Sequence, residues 1–151
     1  MSIWWSLHLR REAASVPLAR RLLVGTMETA GVDPEVLYDL SVALSEACAN
    51  AVEHGGPHST GGASGAYRVT AYLDGEKCRI EVADSGPGIA PLRGRTAPRQ
   101  APDDAEHGRG LGLIHALADH VDVAAKPGGP GTVVSFDKLL KWRKDTPLMA
   151  V

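Results

Sequence analysis

The sequence is poor in the residues that define several classes of small protein. Large rings are scarce, with one Phe, three Tyr and three Trp among 151 residues. There are only two cysteines, Cys48 and Cys78, and neither belongs to a Cys/His spacing typical of a zinc site. A disulfide between them is conceivable. Because they fall in a predicted helix and a predicted strand, we interpret them as buried thiols.

Long hydrophobic runs and a strong charge of one sign are also absent. No apolar run reaches the length of a membrane span, and the N-terminus lacks the basic, apolar and small-residue order of a signal peptide. The net charge of −2 predicts no broad basic face for nucleic acid or anionic lipid. We therefore expect a cytoplasmic protein that binds neither nucleic acid nor membranes directly.

The first third of the chain has the periodicity of one strand and two helices. Residues 3–10 alternate in polarity, which is typical of a half-buried strand. A first helix is predicted from Ser15, acting as its cap, to about Gly31, and a second from Asp33-Pro34 to Gly55. Apolar spacing predicts the buried positions of these elements: Ile3, Trp5, Leu7 and Leu9 in the strand, Leu18, Leu22, Val24 and Met27 in the first helix, and Leu37, Leu40, Leu44, Ala47 and Ala51 in the second.

The rest of the chain predicts four strands and one short helix. A mobile loop over 55–66 and a Pro-rich lid over 90–107 are expected to flank a hairpin whose turn is Asp74-Gly75-Glu76. The predicted elements are strands over 67–73 and 77–83, a helix over 111–118, and strands near 120–126 and 132–138.

This order of elements predicts an α+β fold. The length suits a single domain, and helices gathered early with strands concentrated later favour a two-layer α/β sandwich, with the helices on one face of a mixed sheet. We place this domain at residues 1–140 and a flexible C-terminal tail at residues 141–151.

Three polar residues share one face of the second predicted helix. Glu46, Asn50 and His54 are spaced four residues apart, so they lie above one another on successive turns. Asn50 offers a neutral oxygen to a magnesium ion, whose remaining ligands are phosphates and water. Glu46 is placed to accept a proton from a hydroxyl that attacks a terminal phosphate. Taken alone, the same spacing also fits an ordinary solvated helix face.

A second motif follows a predicted strand. Asp84 precedes Gly86 and Gly88 in a tight glycine turn. A carboxylate there can accept a hydrogen bond from the exocyclic amine of adenine, which guanine does not offer at that edge. The same residues are also good chemistry for an ordinary strand-to-loop turn.

A third motif, Gly108-Arg109-Gly110-Leu111-Gly112, opens the short predicted helix. Glycines at a helix start let phosphates approach free N–H groups, and Arg109 could reach a phosphate; a hinge for the lid is the alternative. No strand runs directly into the motif, which argues against a dinucleotide fold. A fourth candidate is Thr132, whose hydroxyl could reach a base through water, although a β-branched residue starting a strand explains it equally well.

In this order the motifs resemble those of the GHKL superfamily of ATPases and kinases, which includes gyrase, Hsp90 chaperones, histidine kinases and MutL-type repair proteins. Within it, the chain is most similar to bacterial anti-sigma-factor serine/threonine kinases, over roughly residues 5–138. The resemblance implies the Bergerat ATP-binding fold, with ATP and Mg²⁺ as cofactors. It further implies phosphorylation of a STAS-type anti-sigma-factor antagonist, sequestration of a sigma factor and a possible homodimer.

The resemblance also implies a role for each matching residue. Glu46 is the catalytic base, Asn50 binds magnesium, and His54 completes the first motif. The remaining residues implied to bind the nucleotide are Asp84, Gly86, Gly88 and Ile89 around adenine, Gly108, Arg109, Gly110, Leu111 and Gly112 around the phosphates, and Thr132.

Two other functions are compatible with the same motifs. One is a non-catalytic ATP-binding module that regulates a partner by binding alone, although a retained Glu46 favours catalysis. The other is the catalytic domain of a histidine kinase, which needs a phosphoacceptor His on a dimerising helical hairpin. The residues before position 33 leave room for only one helix, so this alternative is disfavoured.

Overall fold

The computed structural model describes residues 2–54, 65–86 and 111–144. The predicted lid over 90–107 lies outside these residues, as does the predicted loop over 55–66 except for its last two positions. The elements in chain order are β1 Ile3–Arg10, α1 Ser15–Ala30, α2 Pro34–His54, β2 Ala66–Leu73, β3 Lys77–Ala83, α3 Leu111–Leu117, β4 His120–Ala125 and β5 Thr132–Leu139.

The strands form one five-stranded sheet in the order β1-β2-β3-β5-β4. Every neighbouring pair is antiparallel, so the α+β fold is confirmed while the prediction of a mixed sheet is wrong for the described strands. The physical reason is the position of β5. The strands β3 and β4 run in the same direction, but β5 lies between them and pairs antiparallel with both.

The core lies between one face of the sheet and the helices. Side chains alternate across each strand, so the register stacks Val69 beside Val82, and Ile80 beside Phe136, on the same face. The strand β1 contributes its predicted apolar side, with Leu9 buried and Ile3, Trp5 and Leu7 packed against the core. The central helix α2 packs against α1, α3 and the middle of the sheet.

The prediction for the buried face of α1 is correct in part: Met27 is buried and Val24 is half-buried, but the two predicted leucines are exposed. Leu18 and Leu22 are 51% and 39% exposed, whereas the buried row is Ser15, Ala19, Leu23, Met27 and Ala30. Ser15 is not the cap: Ala14 occupies that position, and the Ser15 hydroxyl lies within the helix, 2.6 Å from the hydroxyl of Tyr67. This buried contact lies on the same side of α1 as the buried row, and the two leucines lie outside it.

The helix α2 begins where Asp33-Pro34 predicts. The carboxylate of Asp33 accepts a hydrogen bond from the backbone N–H of Glu35, which satisfies one of the free donors at the helix start. Its buried side includes the predicted Leu40, Leu44, Ala47 and Ala51, and Leu37 is partly buried beside them. The preceding helix ends at Gly31, whose φ of 94° is the left-handed conformation that glycine adopts without strain.

The chain after β5 returns to the start of α2. The N–H of Asp33 donates to the carbonyl of Lys141, and the N–H of Arg143 donates to the carbonyl of Gly31. The indole of Trp142 donates to the carbonyl of Gly75. Hydrogen-bonded structure therefore continues through Arg143, inside the predicted tail of residues 141–151, and residues 145–151 lie outside the described part.

Both cysteines are free and buried, which confirms the prediction of buried thiols. Burial raises the pKa of each thiol to about 12, so both remain protonated at neutral pH. Across the described ranges, no helix combines the length and hydrophobicity needed to cross a bilayer.

The buried hydroxyl of Tyr67 links β2 to α1, because it lies 2.6 Å from the Ser15 hydroxyl. We expect Tyr67→Phe to lower the free energy of unfolding by about 1 kcal/mol, since Ser15 keeps its second bond to the carbonyl of Glu12. Urea denaturation measures this change. The matched control is Tyr38→Phe at a 66% exposed position, and equal midpoints for both variants would contradict the structural role of the Tyr67 hydroxyl.

Candidate functional site

The helix α2 carries three polar side chains on one stripe, at Glu46, Asn50 and His54. Each is one helical turn from the next, and the stripe lies beside the buried Ala47 and Ala51. Asn50 is only 7% exposed, yet its carboxamide forms no hydrogen bond with another described residue. Buried carboxamides are normally paired, so this group is available to a ligand. Glu46 is half-buried and likewise has no ion-pair partner among the described residues.

His54 closes this stripe at the C-terminal end of α2. Its Nε2 atom is buried and makes no hydrogen bond within the described residues. The nearest carboxylate oxygen belongs to Glu53 and lies 3.7 Å away, which is too long for a hydrogen bond. His54 therefore presents an unsatisfied ring nitrogen on the same face as the carboxamide of Asn50.

Arg11 holds the end of α2 in place. Its Nε and Nη2 atoms donate to the backbone carbonyl of Val52, at 3.2 and 2.8 Å, and Nε also lies 3.2 Å from the carbonyl of Ala51. These are unpaired carbonyls at a helix C-terminus, where a positive charge is favourable. The backbone N–H of Arg11 also bonds the carbonyl of Gly65. Sequence reasoning missed this residue, since nothing in its neighbourhood indicates a contact forty residues away.

Asp84 follows β3 and is oriented by two backbone amides. The alternation that buries Ile80 and Val82 places Asp84 on the helix side of the sheet. Its Oδ1 atom accepts hydrogen bonds from the N–H of Gly86 at 2.9 Å and from the N–H of Thr132 at 3.2 Å. The backbone N–H of Asp84 in turn donates to the carbonyl of Thr132. Within the described residues Oδ2 accepts no hydrogen bond, so one carboxylate oxygen is fixed and the other is free.

Gly131 allows this arrangement. Its φ of 133° is a conformation that other residues rarely adopt, and a Cβ atom there would collide with the carbonyl oxygen of Asp84. The same Cβ would lie 3.0 Å from the Cδ atom of Lys126. The sequence marks Gly131 only as part of a turn. Its contact with Asp84, forty-seven positions earlier, depends on the pairing of β3 with β5.

The short helix α3 begins at Leu111, as the third motif predicts. Leu111 is buried in the core together with Ile114, so its side chain serves packing, while Gly112 lies half-buried in the first turn. The helix packs against α2. The predicted residues Gly88, Ile89, Gly108, Arg109 and Gly110 lie outside the described residues and stay predictions.

Two groups of predicted residues are thus brought together. Asp84, Gly86 and Thr132 are joined by hydrogen bonds, and Glu46, Asn50 and His54 share one helix face. Because α2 also packs against β3, both groups lie on the helix side of the sheet. The chemistry available is an oriented carboxylate oxygen, a buried carboxamide and a second carboxylate. This set fits a ligand with an amine at one end and a cation-bound anionic group at the other.

The collision that a Cβ atom at Gly131 would make with Asp84 gives a direct test of this geometry. We expect Gly131→Ala to displace the backbone of Asp84 and to weaken nucleotide binding at least about tenfold, together with a loss of stability of about 1–3 kcal/mol. Calorimetric titration with ATP and urea denaturation measure the two effects.

The matched control for this substitution is Gly129→Ala in the same turn. A Cβ atom at Gly129 meets no heavy atom within 4 Å, so we expect nearly unchanged binding. Equal ATP affinities for the two alanine variants would show that the conformation of Gly131 does not position Asp84.

Comparisons with known proteins agree with this architecture. The sequence matches the family described as histidine kinase-like ATPase domain over residues 9–138. It is 33% identical to the serine-protein kinase RsbW of Bacillus pumilus over 127 residues, covering 80% of this chain and 78% of that protein. It is 30% identical to the anti-sigma F factor of Thermoanaerobacter sp. strain X514 over 115 residues, covering 74% and 77% of the two chains.

A solved structure has a similar fold. The crystal structure of the RsbU and RsbW domains of Rv1364c from Mycobacterium tuberculosis superimposes with a TM-score of 0.63 at 25% sequence identity. The match covers 91% of this chain and about a third of that longer chain, at 33%. The matches to these proteins cover most of the chain, including the five-stranded sheet, the polar stripe of α2 and Asp84. The chain belongs to the histidine kinase-like ATPase domain family.

Proposed function

We propose that this protein binds ATP with magnesium and is a serine/threonine protein kinase of the anti-sigma-factor type. The observation that carries the proposal is the orientation of Asp84, whose Oδ1 is held by two amides while Oδ2 accepts no hydrogen bond from any described residue. Membership of the ATPase domain family and relatives named anti-sigma F factor and RsbW kinase support it.

The free oxygen of Asp84 suits recognition of adenine. An acceptor oxygen fixed by backbone amides favours a base that donates a hydrogen bond, and the exocyclic amine of adenine is such a donor. Guanine has a carbonyl oxygen at the corresponding position, which would face a carboxylate oxygen without a proton between them.

The polar stripe of α2 suits the phosphate end of the nucleotide. Asn50 supplies a buried carboxamide oxygen, the kind of ligand that magnesium takes while phosphates and water complete its shell. Bound magnesium would neutralise charge on the phosphates. His54 is placed to donate from or accept at its unsatisfied Nε2 atom, one turn further along α2. We assign Asn50 to the metal and His54 to nucleotide binding.

Glu46 suits the role of a general base. It lies one turn before Asn50, is half-buried, and has no partner among the described residues that would neutralise its carboxylate. An unpaired carboxylate next to the metal-binding position can take the proton of a serine or threonine hydroxyl as that oxygen attacks the terminal phosphate. The proton goes to Glu46, the phosphoryl group goes to the hydroxyl oxygen, and ADP leaves.

The name of one relative, anti-sigma F factor, supports a sigma factor as a partner. We propose that a STAS-type anti-sigma-factor antagonist supplies the accepting hydroxyl and that a sigma factor is sequestered by the unmodified protein, in the cytoplasm. A homodimer fits the position of β1, which is an edge strand with Trp4 65% exposed.

The role of Glu46 is tested by Glu46→Gln, which keeps the size of the side chain and removes its basicity. We expect ATP affinity to stay within about threefold while phosphotransfer falls at least about a hundredfold, the usual contribution of a general base. Transfer is measured with labelled ATP and purified STAS-type proteins from the same genome, and binding by calorimetry.

The control for this experiment is Glu35→Gln, an exposed position at the other end of α2. Undiminished transfer in Glu46→Gln would remove the base assignment. ATP binding by the wild type with no phosphorylation of any antagonist would instead favour the alternative of a non-catalytic ATP-binding module.

A further inference from the structure

A small pocket opens on the face of the sheet opposite the helices. It has a volume of about 150 Å³ and lies at the end of the sheet next to the Asp84 turn. Three strands and two turns contribute to it, and its polar lining consists of His8, Arg68, Ser85 and Lys126. The space is several times the volume that one water molecule occupies in the liquid, so it can hold a group of several heavy atoms.

The strand register explains why the pocket forms here. His8 of β1 pairs with Arg68 of β2, which pairs with Ala83 of β3. The imidazole of His8 and the guanidinium of Arg68 therefore lie on the same sheet face as the methyl group of Ala83. The small side chains of Ala66 and Ala83 leave the space between them open. Ser85 follows on the outward side, because Asp84 before it faces the helices.

Among the described residues the lining is basic and contains no acidic residue. Arg68 and Lys126 form no salt bridge within the described residues, and neither does His8. The opposite end of the same sheet face differs: there Arg79 lies 3.5 Å from Glu81, and the carboxylate of Asp137 lies 2.8 Å from His120. In a chain with a net charge of −2, two uncompensated cations around one small cavity favour an anionic ligand.

Donors for such a ligand are already in position. The ammonium group of Lys126 donates to the hydroxyl oxygen of Ser85 at 3.2 Å, which leaves the hydroxyl proton free to be donated elsewhere. The guanidinium of Arg68 has the planar pair of N–H groups that suits bidentate binding of phosphate. A tetrahedral oxyanion of this size could therefore receive charge-assisted hydrogen bonds from two strands and from the turn after β3.

The pocket is mechanically connected to the nucleotide side of the sheet. Ser85 directly follows Asp84, and Lys126 packs against Gly131, to whose carbonyl its own backbone N–H donates. Gly131 in turn contacts the carbonyl of Asp84. An anion that draws the Lys126 ammonium away from Ser85 acts on both segments that fix the Asp84 carboxylate.

We propose that this pocket is an oxyanion site for a phosphate or phosphate monoester, separate from the ATP site, and that its occupation weakens ATP binding through Ser85, Lys126 and Gly131. The site itself stands without the proposed kinase function, whereas its effect on ATP rests on that function. The phosphate can be the free ion or one carried by a phosphorylated side chain, and the experiment separates these sources.

The test is an NMR titration of the isotopically labelled full chain with potassium phosphate, with potassium chloride added to hold ionic strength constant. We expect saturable shifts of the amides of His8, Arg68, Ser85 and Lys126. The variant Arg68→Gln should weaken this binding about tenfold, the loss expected for one charge-assisted pair. The control Lys77→Gln removes an equal charge from an exposed position outside the pocket and should leave the affinity unchanged.

A second arm replaces phosphate with O-phosphoserine in a short peptide and with the unphosphorylated peptide. Tighter binding of phosphoserine assigns the site to a phosphorylated protein, and tighter binding of phosphate assigns it to the free ion; either result supports the site. Equal weakening by Arg68→Gln and Lys77→Gln would overturn it, as would the absence of saturation by either ligand at tens of millimolar.

The coupling is read from ATP affinity with and without saturating phosphate. We expect a weakening of about fivefold in the wild type and in Lys77→Gln, and none in Arg68→Gln. A weakening that persists in Arg68→Gln is direct competition at the ATP site and contradicts the coupling, as does an unchanged affinity in the wild type. Failure of the wild type to bind ATP removes the proposed function alone, because the phosphate titration is read independently.

Discussion

The candidate site depends on how one carboxylate is held. Asp84 has one oxygen bonded to the amides of Gly86 and Thr132, and its backbone is paired with Thr132 on the adjacent strand. Because both the carboxylate and the backbone of this residue are hydrogen-bonded to the main chain, the side chain does not need to be reorganised when a ligand binds. Its second oxygen therefore acts as a fixed acceptor. The arrangement exists only because Gly131 has no Cβ atom, which makes the turn before β5 part of the site.

The second half of the site depends on the packing of α2. Its apolar side is buried between α1, α3 and the sheet, so the stripe of Glu46, Asn50 and His54 lies on a helix anchored in the core. The guanidinium of Arg11 donates hydrogen bonds to unpaired backbone carbonyls at the C-terminal end of α2, next to His54. The proposed adenine side and the proposed phosphate side thus lie on separate elements, which meet in one hydrophobic core.

The sequence predicts the elements and most of the candidate residues because their signals are local. Alternation identifies β1 to β3, and the four-residue spacing identifies the polar stripe of α2. The errors arise where distant residues decide. Leucines lie on both sides of α1, so the local sequence does not show which side is buried. In the structure the buried side is the one on which Ser15 contacts Tyr67. The insertion of β5 between β3 and β4 makes the sheet antiparallel, and the roles of Arg11 and Gly131 depend on partners more than thirty-five positions away.

The central claim is that the oriented Asp84 recognises the amine of adenine. Calorimetric titration of the wild-type protein with ATP and with GTP, each in excess magnesium, tests it most directly, because the two nucleotides share their phosphates and differ at the base. We expect saturable binding of ATP and at least about tenfold weaker binding of GTP. This is the discrimination expected when the fixed carboxylate of Asp84 loses the amine that donates to it. Equal affinities, or no binding of ATP at millimolar concentration, would contradict it.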